Sequence, residues 1–326
     1  MFEIEKELYM SPVQVPVEKW TGKVHQVTLG GAGGRKAVTV GGEGTLPFLK
    51  FEGGIPNKPA LAIEILDCAP EDWSPHLTSA WGDALSDSAK WAKKAVEFGA
   101  DIIALRLRSA HPEVADTGAE EAKKNVAKVL SAVDVPVIIL GPGVAEKDVA
   151  VLRAASDVAR GQRVALGNCE DKNYRTIAAS CIADGHVVIG HTPLDINLAK
   201  QLNVLLHDVG LPLDSILMDP DTGALGYGLE YCYSVMERLK LAALSGDKMT
   251  AMPMICNAGA ESWRQKESKA SEGIPAAWGE NKQRAILWEE VTAMALLNAG
   301  ANIITLRHPR TVETIKATID KLLSAQ

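Results

Sequence analysis

No Cys-x-x-Cys pair occurs in the chain. Its five cysteines, Cys68, Cys169, Cys181, Cys232 and Cys256, are scattered and odd in number. Chain-borne zinc and iron–sulfur sites draw on thiolates at short, repeated spacing. Neither is expected here, and a reducing, cytoplasmic compartment is. Basic excess is also lacking: the formal charge is −7 and no run of Lys and Arg forms a stripe, which argues against a nucleic-acid partner. No stretch approaches the roughly 20 apolar residues of a membrane span. The first seven residues carry charge and no apolar segment follows them, so no signal peptide is expected.

What is present is ordinary for a globular protein: 326 residues, 47% hydrophobic and 23% charged. A fold of this size buries roughly 75% of its unfolded surface and needs no covalent staples. From residue 59 onward strand and helix patterns alternate eight times. The strand-like runs cover 59–66, 101–108, 135–141, 163–168, 186–192, 215–220, 253–257 and 302–308. Their near-continuous apolar character suits parallel strands buried on both faces. Eight such units predict a closed (β/α)8 TIM barrel over residues 56–326, with its working face at the C-terminal strand ends.

Residues 1–55 form an extension outside the barrel. Within it, 23–29 and 36–40 alternate around a glycine-rich link at 30–34, the pattern of a β-hairpin. The link leads into a second strand and no Gly-Lys-Ser/Thr follows, so it is not expected to cradle a nucleotide phosphate. Helical spacing is predicted over 83–98 and from about Leu194 to Gly210, with a last helix from near Thr311. Thr117 and Glu120 have the spacing of a capping box.

The connections at the expected bottom of the barrel are short. Those at the top are long after the first, sixth and seventh runs: 67–82, 219–228 and 258–280. Long connections without secondary structure in a compact domain tend to be functional. They carry Trp73, Trp81, Trp263 and Trp278, which predicts either a lid or partner surface, or rings packed onto helix tops.

Several barrel chemistries lack their residues. No lysine lies in a strand run, so a Schiff-base nucleophile is missing. His191 and His308 fall on the fifth and eighth runs, too far apart for an obvious metal site. No Gly-x-Ser-x-Gly occurs. Asp67 and Asp219 form a carboxylate pair, but on the first and sixth runs, and sequence leaves open the separation that glycoside hydrolysis requires. The strand ends are rich instead in Asp, Asn and hydroxyl groups: Asp67, Asn168, Thr192, Asp219 and Asn257. Such groups hydrogen-bond a heteroatom-rich ligand. Glu64, Arg106 and Arg307 alternate with apolar neighbours on adjacent strands and are expected to meet inside the barrel as a buried ion cluster. The alternative is that Arg307 grips an anionic group at the rim. Cys256 is expected in the core.

Three segments carry a family resemblance: PNKPALAIEILD at 56–67, MDPDTGALGYGLEY at 218–231 and GGEGTLPF at 41–48. With them the chain resembles, over nearly its whole length, the small (delta-type) subunit of the corrinoid/iron–sulfur protein of the acetyl-CoA synthase/decarbonylase system. The resemblance implies a barrel paired with a large subunit that carries the iron–sulfur cluster. A cobamide (B12-type corrinoid) is then held, base-off, between the two subunits over the barrel's top. It implies a methyl carrier of the reductive acetyl-CoA pathway of carbon dioxide fixation. A methyltransferase loads the carrier from methyltetrahydrofolate, and acetyl-CoA synthase unloads it. Asp67, Asn168, Thr192, Asp219 and Tyr227 are the expected corrin-binding residues, chosen by their position at or beyond the strand ends. His186, in DGHVVIG at 184–190, departs from the Asp-x-His-x-x-Gly pattern of cobalt-ligating proteins by one residue and lies at the wrong end of its strand. The alternative is a pterin-dependent methyltransferase on the same barrel, with Asp and Asn at the strand ends holding methyltetrahydrofolate.

Overall fold

A computed structural model describes residues 15–324. The charged first seven residues, and with them 1–14 of the predicted extension, lie outside the described residues. Two strands, β1 (Gln26–Gly30) and β2 (Ala37–Gly41), pair antiparallel with Thr28 opposite Thr39. Eight parallel strands then close a barrel in sequence order. They are β3 (Ala60–Leu66), β4 (Ile102–Arg106), β5 (Val137–Leu140), β6 (Ala165–Cys169), β7 (Val187–His191), β8 (Ile216–Asp219), β9 (Met254–Cys256) and β10 (Ala301–Leu306). β10 pairs with β3, so the sheet has no free edge.

The helices are α1 (Pro75–Trp81), α2 (Ser88–Glu97), α3 (Ala119–Ala132), α4 (Ala145–Val158), α5 (Tyr174–Asp184) and α6 (Ile196–Asp208). After them come α7 (Leu229–Leu244), α8 (Ala258–Arg264), α9 (Lys266–Lys269), α10 (Asn281–Asn298) and α11 (Pro309–Ser324). Their apolar faces pack on the outside of the barrel. The expected fold class therefore holds, with local corrections. The segment 83–98 is two helices, because Asp87 stops a short 3-10 turn and caps α2 through Ala89 N and Lys90 N. The predicted capping box does not form. The Thr117 hydroxyl is shared with Ser109 Oγ at 2.8 Å, and Gly118 precedes α3 without a side-chain cap. Leu194 adopts φ 37°, outside the helix, and Asp195 caps α6. α11 begins at Pro309, a position where a missing N–H costs no helical bond.

The hairpin closes the bottom of the barrel. Val27, Leu29 and Val40 join one apolar cluster with interior residues such as Ala62, Ala104 and Ile138. Gly30 N donates to Arg163 O, Lys36 N to Asp134 O and His25 N to Ala251 O, all just ahead of barrel strands. Arg35 donates to the carbonyls of Leu130, Val133 and Val135. Farther along, the buried Glu43 carboxylate accepts from Lys240 Nζ and from Asn302 Nδ2. With that end stoppered by the hairpin, a cavity remains at the C-terminal strand ends.

Candidate functional site

At that open end lies a cavity of about 290 Å³. Each barrel strand contributes one residue at or beside its C-terminal end: Leu66, Arg106, Pro142, Asn168, His191, Asp219, Asn257 and Arg307. The rim connections add Asp72, Trp73, Asp221, Glu261 and Arg264. Parallel strands whose ends converge on one axis bring these residues together from every part of the chain.

Asp219 organises one wall. Its Oδ2 accepts from His191 Nδ1 at 3.2 Å and Asn257 Nδ2 at 3.0 Å, and its Oδ1 accepts from Asp221 N at 3.0 Å. Burial alone would lower the His191 pKa, but the Asp219 carboxylate outweighs it and lifts the imidazole to about 9. At neutral pH His191 is therefore a cation whose Nε2–H is free of Asp219. Asp221 holds φ 68°, a left-handed conformation that Asp tolerates better than most residues, and its Oδ1 accepts from Gly223 N at 2.7 Å. Asn257 spends its amide nitrogen on Asp219, and its buried Oδ1 has no protein partner. The buried Oδ1 of Asn168 is likewise without one. Unpaired buried carbonyls are costly, so two on one cavity mark a place for a donor-bearing ligand.

The opposite wall is the ion cluster. Glu64, fully buried, accepts from Arg106 Nε at 3.2 Å and from Arg307 at 2.9 Å, both through its Oε1. Burial would raise the Glu64 carboxyl, but Arg307 and Arg106 together hold it below the usual range. The Arg307 guanidinium also lies 4.7 Å from the Trp73 ring centre. The expected buried cluster is thus present, and both of its arginines reach the cavity as well.

The expected binding residues separate. Asn168 and Asp219 line this cavity. Thr192 lines a second cavity of about 410 Å³, with Leu198, Gln201 and Leu205, and His191 forms the wall between the two. Asp67 turns away from both and accepts from Ser109 N, Ser109 Oγ and Asn125 Nδ2, tying the end of β3 to the connection before α3. Tyr227 stands 91% exposed on the rim. Cys256 is buried with Sγ 3.7 Å from Met236 Sδ, and His186 is buried at the far end of the barrel on Ser156 O. Among the described residues no group of His, Cys, Asp and Glu is placed to hold a metal ion.

Of the two arrangements expected for the tryptophans, inward packing holds for three of the four. The connection 67–82 contains α1, and 258–280 contains α8 and α9. Trp73, Trp81 and Trp263 are buried: Trp73 and Trp81 pack against Trp91, and Trp263 stacks on His308. Trp81 Nε1 donates to Arg307 O. Only Trp278 of the four remains exposed. Glu261 and Arg264 were not among the expected site residues. Their signal was the helix hidden in the long connection, whose i,i+3 spacing aims both at the mouth.

Comparison with known proteins agrees with this architecture. The family described as CO dehydrogenase/acetyl-CoA synthase delta subunit matches residues 26–315. The chain is 38% identical to the acetyl-CoA decarbonylase/synthase complex subunit delta of Archaeoglobus fulgidus, over 98% of this chain and 73% of that one. It is 37% identical to subunit delta 1 of the same complex from Methanosarcina thermophila, over 95% and 73%. Among solved structures, dihydropteroate synthase of Coxiella burnetii in complex with pteroic acid aligns with TM-score 0.57 at 14% identity, over 92% of this chain and 100% of that one. The enzyme of Xanthomonas albilineans with 4-aminobenzoic acid aligns with TM-score 0.56 at 12% identity, over 85% and 98%. At such identities these two structures establish the shared barrel fold alone.

Proposed function

The chain belongs to the CO dehydrogenase/acetyl-CoA synthase delta subunit family, and on that premise we propose that it is the barrel half of a two-subunit corrinoid methyl carrier. When bound, a cobamide supplies a cobalt centre able to accept and release a methyl group. This chain's part is binding and positioning. The observation that carries the reading is the pair of partnerless carbonyls, Asn168 Oδ1 and Asn257 Oδ1, at a mouth ringed by all eight strands. A corrin is fringed with carboxamides, whose N–H groups match those acceptors. The mouth, at about 290 Å³, is too small to enclose such a ring but large enough for its side arms. A cobamide held here would meet Asn168 and Asn257 through its carboxamide arms, and a large subunit bearing the iron–sulfur cluster would complete the site. Asp219 keeps Asn257 and His191 oriented, and the Nε2–H of His191 donates at the ridge between the two cavities, beside Thr192.

Coexpression with the large subunit tests this. The expected result is a copurifying pair with a corrinoid absorption spectrum, and a loss of corrinoid retention in Asn168→Leu. A pair that forms without binding any corrinoid refutes the reading. If instead the chain alone moves methyl from methyltetrahydrofolate to added cobalamin, the pterin-dependent methyltransferase reading replaces it.

A further inference from the structure

The ion cluster at the mouth does not balance. Glu64 brings one negative charge, Arg106 and Arg307 bring two positive ones, and both arginines share the single oxygen Oε1. Among the described residues no other carboxylate pairs with either guanidinium. The neighbouring acids are already engaged: Asp72 with Arg108 at 3.2 Å, Glu261 with Arg264 at 2.6 Å and Asp219 with His191 at 3.2 Å. Asp148 and Glu261 feel the field of these arginines without touching them, and burial pushes both acids toward the neutral form. The arginine side chains are only 17% and 14% exposed, so water screens the surplus charge poorly. The hydrogen bonding is unbalanced in the same place. Arg106 gives Glu64 only its Nε, and the buried Nε of Arg307 has no partner. A paired guanidinium normally uses its fork on two oxygens. Here two forks converge on a cavity with donors to spare.

We propose that Arg106 and Arg307 form an oxyanion site in the floor of the barrel mouth, taking a phosphate or carboxylate group of a ligand whose N–H donors meet Asn168 and Asn257 across the cavity. Glu64 presets the two guanidiniums without neutralising them, and Trp73 holds Arg307 from above. The cavity is polarised to match, with surplus positive charge on this wall and the Asp219–Asp221 carboxylates on the other. The site does not depend on the corrinoid reading. Only the bearer of the anion does: the phosphodiester in the nucleotide loop of a cobamide, or the carboxylate of a separate small metabolite.

Trp73, against Arg307, is a built-in reporter. The full chain is titrated with dimethyl phosphate and with acetate at constant ionic strength, reading tryptophan fluorescence. A saturable change is expected that disappears in Trp73→Phe. Losing one charge-assisted contact weakens binding about tenfold or more. Arg307→Gln and Arg106→Gln should each show this while still melting cooperatively, and Arg160→Gln at the far end of the barrel binds as the parent does. Stronger binding of dimethyl phosphate assigns the site to a phosphodiester, and stronger binding of acetate to a carboxylate. No saturable response to either anion, or affinities indifferent to both arginine substitutions, overturns the proposal. Corrinoid retention by the two-subunit pair is measured separately, so a failure of the carrier reading leaves the anion isotherms to be judged alone.

Discussion

Glu64 and its two arginines show how far one residue differs from its partner in the same contact. Glu64→Gln leaves two guanidiniums facing each other in a buried place without a counter-ion. Removing one member of a buried ion pair costs about 3–5 kcal/mol, and that range is expected here. Arg307→Gln keeps the one-to-one pair with Arg106 and should cost only about 1 kcal/mol, the net worth of a hydrogen bond. Urea unfolding of the two variants measures the contrast, and equal losses would show that the charges are not organised around Glu64. His191 makes the second residue-scale prediction. Its folded pKa of about 9 lies above the ordinary 6.5. The Asp219 contact therefore contributes fully below pH 6.5 and is lost as pH rises from there through 9. The shift corresponds to on the order of 3 kcal/mol. Asp219→Asn should lower stability at pH 6 and flatten the decline between pH 6.5 and 9 in thermal melts. A decline of unchanged steepness in that variant would assign it to another group.

At the scale of elements, the eight strands were legible because an apolar run of fixed length between turn residues has few other uses. The strand ends were legible with them, since parallel order places every C-terminus on one face. Thr117 shows where that legibility stopped: the capping spacing is local, but Ser109, eight residues away, competes for the same hydroxyl. The tryptophans stayed undecided between lid and packed rings for a related reason. Exposure is a tertiary property, and 67–82 hides a helix that turns Trp81 inward under the last strand's end. Asp67 and Asn168 occupy equivalent positions in sequence, yet a partner from α3, Asn125, pulls one away while the other faces the cavity. The hairpin was visible as a pattern, but not its role as a stopper. That role has a measurable consequence. Leu29, fully buried beneath the barrel interior, when changed to Ala should cost about 2–5 kcal/mol in denaturant unfolding. An exposed, dispensable hairpin would show under about 1 kcal/mol, the range of surface substitutions.

At the scale of the whole molecule, three of the exposed aromatic side chains follow β8 and β9. Tyr227 is 91% exposed, Tyr231 57% and Trp278 42%. Tyr227 and Trp278 stand on the connections after β8 and β9, and Tyr231 in the first turn of α7. Exposed aromatics grouped at a functional opening are costly to leave in water and typical of interface anchors. On the two-subunit reading they are where the large subunit grips the barrel, while the polar mouth between them stays free for the corrin. Tyr227→Ala should then weaken the pair by about 2 kcal/mol, roughly thirtyfold. The melting temperature of the isolated chain should not move, because the ring touches little of its own barrel. Dissociation constants from analytical ultracentrifugation, set beside thermal melts of the free chain, separate the two effects. An unchanged dissociation constant in both Tyr227→Ala and Trp278→Ala would move the interface off this side of the rim. The cavity would then have to be covered from the side of α6, where Leu198 is an exposed apolar residue.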